Sequence, residues 1–180
     1  ASSSALIKSI PFHVQVEWYK IRDKFFGGNF VSQNIPLALE MASACQHPDA
    51  CWLTDICAGK EVQTAEDVKR VFRTFDQNDA RALCFSWLFD QEQAFEMVRR
   101  SADLGFAWAQ SAVFVSGSER REEVRLKYAQ LSAAQGERDG LFRLARAYRD
   151  GDFGCEQDVE KAKVWLFFFG VASLVDLPHQ

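Results

Sequence analysis

Small residues recur at helical spacing through the last third of the chain. Gly136 and Gly140 stand one turn apart, Leu144 and Tyr148 continue their face, and Gly151 and Gly154 follow where that face ends. A helix carrying such a stripe can approach a neighbour closely, and the two later glycines supply its stop and turn. Asp158 then precedes a second apolar stripe, Ala162 and Trp165, and so reads as an N-cap. The segment predicts a helical hairpin.

The same pattern returns upstream with declining fidelity. Tyr128 lies eight residues before Gly136, and Met97 eight before Gly105, so both occupy the slot of Trp165. Gly105 and Gly136 are 31 residues apart, a period found among helical-hairpin repeats. Near the N-terminus, Phe25-Phe26-Gly27-Gly28 followed by Ala38 and Met41 repeats the turn and second helix. Looser copies sit around Asp49–Leu53, Gly59–Val62 and Asp79–Leu83. Strand-like alternation is scarce: His13-Val14-Gln15-Val16 is one short candidate, and it more easily starts a helix. The four prolines (Pro11, Pro36, Pro48, Pro178) all fall where a helix could begin or end.

On these residues the chain resembles Sel1-like repeat proteins, relatives of the tetratricopeptide repeat. The resemblance implies an all-α fold, a right-handed α/α superhelical solenoid of about five degenerate hairpins. The expected units are roughly 12–45, 46–75, 76–103, 104–132 and 133–168. Residues 1–11 read as an N-terminal extension or tag remnant, and 169–180 as a capping tail. A linear array needs at least about three such units to be stable, and this length accommodates them.

Composition narrows the function. Hydrophobic residues make up 48% of the chain, with 16 Phe and 5 Trp, enough for a large core. The net charge of −4 argues against nucleic acid or an anionic membrane as partner. The apolar run Val164–Ala172 is about half of the ~20 residues a membrane-spanning helix requires. Five cysteines in no regular pattern point to a reducing, cytoplasmic setting rather than a disulfide framework. The cluster Cys45, His47, Cys51, Cys57 invites a metal, but six-residue spacings set successive thiols about 240° apart on a helix. No metal or cofactor is expected. Nucleophile–base chemistry would need one of His13, His47 or His179, and His47 in His47-Pro48-Asp49 reads as a turn and cap residue. The chain is expected not to be an enzyme.

A stacked array offers its surface instead. First helices line the concave face, and small residues such as Ala82, Ala109 and Gly140 face the neighbouring helix. Positions beside them turn toward the groove: Trp52, Arg81, Phe85, Trp108, Ser111, Phe142, Arg143 and Arg146. Aromatics with arginines have the composition of a binding hot spot, so these eight are the candidate contacts for a protein or peptide partner. The expected role is an adaptor or scaffold. The alternatives are an accessory domain of a larger enzyme or complex, or self-association through the apolar C-terminal end.

Overall fold

A computed structural model describes residues 10–28, 30–75, 78–89, 94–115 and 119–173. The expected turn at 116–118 and most of the expected N-terminal extension and C-terminal tail lie outside the described residues. Among those described, ten helices follow one another, joined by turns: α1 (Phe12–Phe26), α2 (Ile35–Ala44), α3 (Pro48–Cys57), α4 (Ala65–Phe72), α5 (Ala80–Phe89), α6 (Ala94–Asp103), α7 (Ala107–Val115), α8 (Glu122–Ala134), α9 (Arg138–Asp150) and α10 (Val159–Ser173). Among the described residues, β-type pairing is limited to one isolated bridge, Gly28 to Val31. The fold is all-α.

Local chemistry sets the helix starts. Asn34 accepts from the Leu37 N–H at α2, His47 Nδ1 from the Asp49 N–H at α3, and Asp158 from the Lys161 N–H at α10. At α4, Thr64 and Asp67 cap each other's backbone in a reciprocal box. Gly151, at φ +70°, ends α9 in the left-handed conformation that glycine adopts without a steric penalty.

Packing reflects the period. Tyr128 and Trp165, in equivalent slots, are both buried. Ser101 Oγ donates to Ala80 O at 2.5 Å, and Ser132 Oγ to Ala107 O at 2.7 Å. Two serines 31 residues apart thus tie a second helix to the start of the first helix before it. Gly140 of α9 lies directly against Ser132 and Ala133 of α8.

Helix α1 departs from the expected open groove. Val14, Gln15, Trp18, Tyr19, Ile21, Arg22, Asp23 and Phe25 are all buried, so the helix is enclosed on most of its circumference. Its residues meet His47 at the start of α3, Phe85 of α5, Trp108 of α7, Glu137 and Arg138 at the start of α9, and Phe168 of α10. The physical reason is area. Trp18, Tyr19, Phe25 and Phe26 carry too much apolar surface to leave in water, and burying each is worth about 1.5–3 kcal/mol. They bury it against the inner faces of the later odd-numbered helices.

A β-carbon at Gly140 would lie 2.6 Å from Ser132 Cβ and 2.9 Å from the Ala133 backbone nitrogen, neither of which can swing away. Gly140→Ala should therefore lower stability by about 1–3 kcal/mol through overpacking. In an uncrowded helix the same change would add up to about 1 kcal/mol. Urea denaturation tests this, and a more stable variant would contradict the close contact.

Candidate functional site

Four residues at the contact of α1 with α9 form a reciprocal pair of ion pairs. Arg22 Nη1 and Nη2 donate to Glu137 Oε2 and Oε1 at 3.1 and 2.9 Å. One residue further along each helix the charges reverse: Arg138 Nη1 and Nη2 donate to Asp23 Oδ2 and Oδ1 at 3.1 and 3.0 Å. All four side chains are buried. The Arg22 guanidinium also lies over the Trp108 ring, 4.0 Å from its centroid. Tyr19 OH donates to Gly136 O at 2.6 Å and accepts from the Arg138 N–H at 3.1 Å. Burial pushes the Glu137 carboxyl up from its ordinary value, and Arg22 and Arg138 pull it back down.

Beside this network opens a cavity of about 280 Å³. It is walled by the N-terminal ends of α3, α5, α7 and α9, with Gln15 and Tyr19 of α1 forming part of its lining. Phe106 and Trp108 supply aromatic surface. Arg81 Nε pairs with Asp49 Oδ1 at 2.7 Å near the mouth, and Leu104, 56% exposed, stands nearby. Four helix N-termini aim partial positive charge at the space.

The eight sequence candidates fall into separate places. Arg81 and Trp108 line this cavity. Phe85 is 0% exposed, ringed by Trp18, Phe26, Trp52, Phe72, Phe106 and Trp108 at 5.1–6.4 Å. Ser111 is 2% exposed and its hydroxyl donates to Trp108 O at 2.8 Å. Those two are core residues, a correction to the groove reading, because α1 and the neighbouring aromatic rings enclose Phe85 and α7 turns Ser111 inward. Trp52 is half-buried between Phe72, Phe75 and Phe85. Phe142 stacks on Phe169 at 5.0 Å, with Arg143 and Arg146 over its ring. Arg143 and Arg146 line a second cleft at the far end of α7 and α9.

Sequence reasoning missed Arg22, Asp23, Glu137 and Arg138. The one trace in the chain is a pair of opposite-charge dipeptides, Arg22-Asp23 and Glu137-Arg138, 115 residues apart. Nothing local marks them as partners.

Burial disfavours the charged forms of Cys45, His47 and Cys57 in the cysteine and histidine cluster. Burial lowers His47 to about 4, with Arg22 and Arg81 adding to the effect and Asp49 opposing it. Its ring stacks on Trp18 at 5.4 Å. Burial pushes the Cys57 thiol up to about 11 and raises Cys84 further. All five cysteines are free. Among the described residues no group of three His, Cys, Asp or Glu side chains is placed to hold a metal, and no helix is long and apolar enough to cross a membrane.

No family model and no curated protein matches the sequence. Solved structures do. A Sel1 repeat protein from Oxalobacter formigenes superposes with a TM-score of 0.56 at 18% identity, over 85% of this chain and 69% of that one. A protective antigen present in uropathogenic Escherichia coli strains, displaying an SLR fold, gives 0.55 at 19% identity, over 86% of this chain. This chain spans 37% of that antigen's length. The chain has the Sel1-repeat fold. Within this Sel1-repeat fold, the aromatic inner row is covered by the chain's own first helix; the two cavities described above lie at helix ends, and a shallower one runs along α1 beside Met41 of α2.

His47 gives the fold a pH signature. Its folded pKa lies below the ordinary value of 6.5, so below that value the unfolded chain binds more protons. Its contribution is complete above about 6.5 and is lost as pH falls from there toward about 4. Stability curves of wild type and His47→Gln should converge across that window, because the variant lacks the loss. Curves that stay parallel would mean that His47 titrates normally.

Proposed function

We propose that this chain is a non-catalytic protein-interaction module that seats a short peptide segment in the cavity walled by α3, α5, α7 and α9. The observation that carries the reading is that cavity itself. It is preformed and open, and Phe106, Trp108, Arg81 and Asp49 all line it. Such a mouth can take an apolar side chain against the rings while a neighbouring peptide group meets Arg81 or a helix N-terminus. Read as five hairpins, the array would present this mouth on one edge and act as an adaptor or scaffold.

A non-catalytic role is supported by a neutral, hydrogen-bonded His47 and by the Cys45, Cys57 and Cys84 thiols, which burial holds protonated. Free buried thiols fit a reducing, cytoplasmic setting. Self-association is a second reading with an observation of its own: Phe167 is 67% exposed on α10, with Val159 and Val164 also exposed on that helix.

Selection of a displayed peptide library on the wild-type protein tests the main reading. Selected peptides should bind Arg81→Gln/Leu104→Ser at least about tenfold more weakly, the loss of one good contact. Leu104 is exposed and Arg81 partly so, and loss of the Arg81–Asp49 pair should lower the circular dichroism melt only modestly, leaving the variant folded at the binding temperature. Equal affinity for wild type and variant, or a library that yields no binder, would contradict the seat.

A further inference from the structure

We propose that the cleft between α7, α8, α9 and the α9–α10 turn is a second binding site, which takes the carboxylate of an acidic peptide segment. It has a volume of about 210 Å³ and is lined by Phe114, Arg125, Arg143, Arg146, Asp152 and Phe153. It lies at the opposite end of α7 from the cavity with Trp108. Nine residues of helix, about 13 Å, separate the two.

Three guanidiniums line it beside a single carboxylate, that of Asp152. No carboxylate oxygen among the described residues is within ion-pair distance of Arg125, Arg143 or Arg146. Arg143 Nε is buried and has no hydrogen-bond partner among the described residues. A buried donor left unsatisfied is costly, and native structures nearly always supply it with a partner. Arg125 is fixed in place: its Nε and Nη2 both donate to Phe114 O, at 2.9 and 2.8 Å, and its guanidinium lies 4.5 Å from the Phe153 ring centroid. That leaves Nη1 free of the anchoring bonds.

Phe153 is the second indication. It holds φ +58°, the left-handed region that a phenylalanine rarely adopts, although Gly151 and Gly154 stand close by. The strained backbone sets its ring 4.7 Å from Phe114, completing the apolar wall of the cleft. A strained aromatic and an unsatisfied guanidinium facing one small space together favour a ligand that is flat, anionic and partly apolar. Three arginines and Asp152 leave a net local charge of about +2. That suits one or two carboxylates, and Asp152 would repel a dianionic phosphate more strongly.

The site is independent of the peptide seat proposed above, and its test separates the two. Calorimetric titrations would use three peptides: acetyl-Gly-Phe-Glu-Glu-Phe-Gly-amide, acetyl-Gly-Phe-Gln-Gln-Phe-Gly as free acid, and the same glutamine peptide as amide. At least one carboxylate-bearing peptide should bind about tenfold or more tightly than the neutral one. Whichever does so identifies a side-chain or a terminal carboxylate as the source. Binding should weaken with added salt, fall by a similar factor in Arg143→Gln/Arg146→Gln, and persist in Arg81→Gln/Leu104→Ser. Among the described residues neither Arg143 nor Arg146 makes an ion pair, so the first variant should remain folded, which its melt would verify. Equal binding of all three peptides, absence of binding, or affinity unchanged in Arg143→Gln/Arg146→Gln would overturn the proposal. Displacement of the acidic peptide by inorganic phosphate more effectively than by acetate would also overturn it.

Discussion

Two buried ion pairs of opposite direction, Arg22 with Glu137 and Asp23 with Arg138, hold the first helix against the start of the ninth. Each is bidentate, so distance and orientation are fixed together, and the reversal of sign sets the register of one helix on the other. Such charges add little net stability once desolvation is counted, but losing one partner costs about 3–5 kcal/mol because the other stays buried and uncompensated. They therefore act chiefly as a specificity device. A linear array needs only contacts between neighbours, whereas this one carries a contact spanning 115 residues. That contact determines where α1 lies and what remains open.

The placement of α1 reorganises the surface. Aromatic residues that would form a recognition groove in an open array become core, with Phe85 at the centre and Trp108 stacked beneath Arg22. Two of the spaces that stay accessible lie at helix ends. A cavity sits at the N-terminal ends of the odd-numbered helices, and an arginine-lined cleft at the far end of α7. Interaction chemistry thus moves from the faces of the helices to their termini, where backbone groups and charged side chains meet solvent.

How much of this is legible in the chain follows from the range of each interaction. Gly136, Gly140, Leu144, Tyr148, Asp158 and Trp165 act within about thirty residues, and their spacing reads directly as a hairpin and its period. Gly140 is the clearest case: Ser132 and Ala133, which it contacts, are eight and seven residues away in sequence. The capping role of His47 is local in the same way. The enclosure of α1 is not: Val14, Trp18, Ile21 and Phe25 form an apolar stripe at helical spacing, but Gln15, Arg22 and Asp23, buried beside it, read in sequence as a solvent face. A charged residue whose partner lies 115 positions away gives no local sign that its side of the helix is covered. Reading Phe85 and Ser111 as contact residues follows from that blind spot. Arg81 and Trp108 reach a cavity, but its walls are assembled from four separate helices that no single segment announces.

The account stands on α1 being part of the cooperative fold rather than a detachable first repeat. Native-state hydrogen exchange of the α1 amides measures this directly. Arg22, Asp23 and Ile21 should exchange only through the same global opening as the amides of α7 and α9, with matching free energies and matching denaturant dependence. Exchange of α1 by a local opening several kcal/mol cheaper than that of α7 and α9 would contradict the closure and restore an open groove.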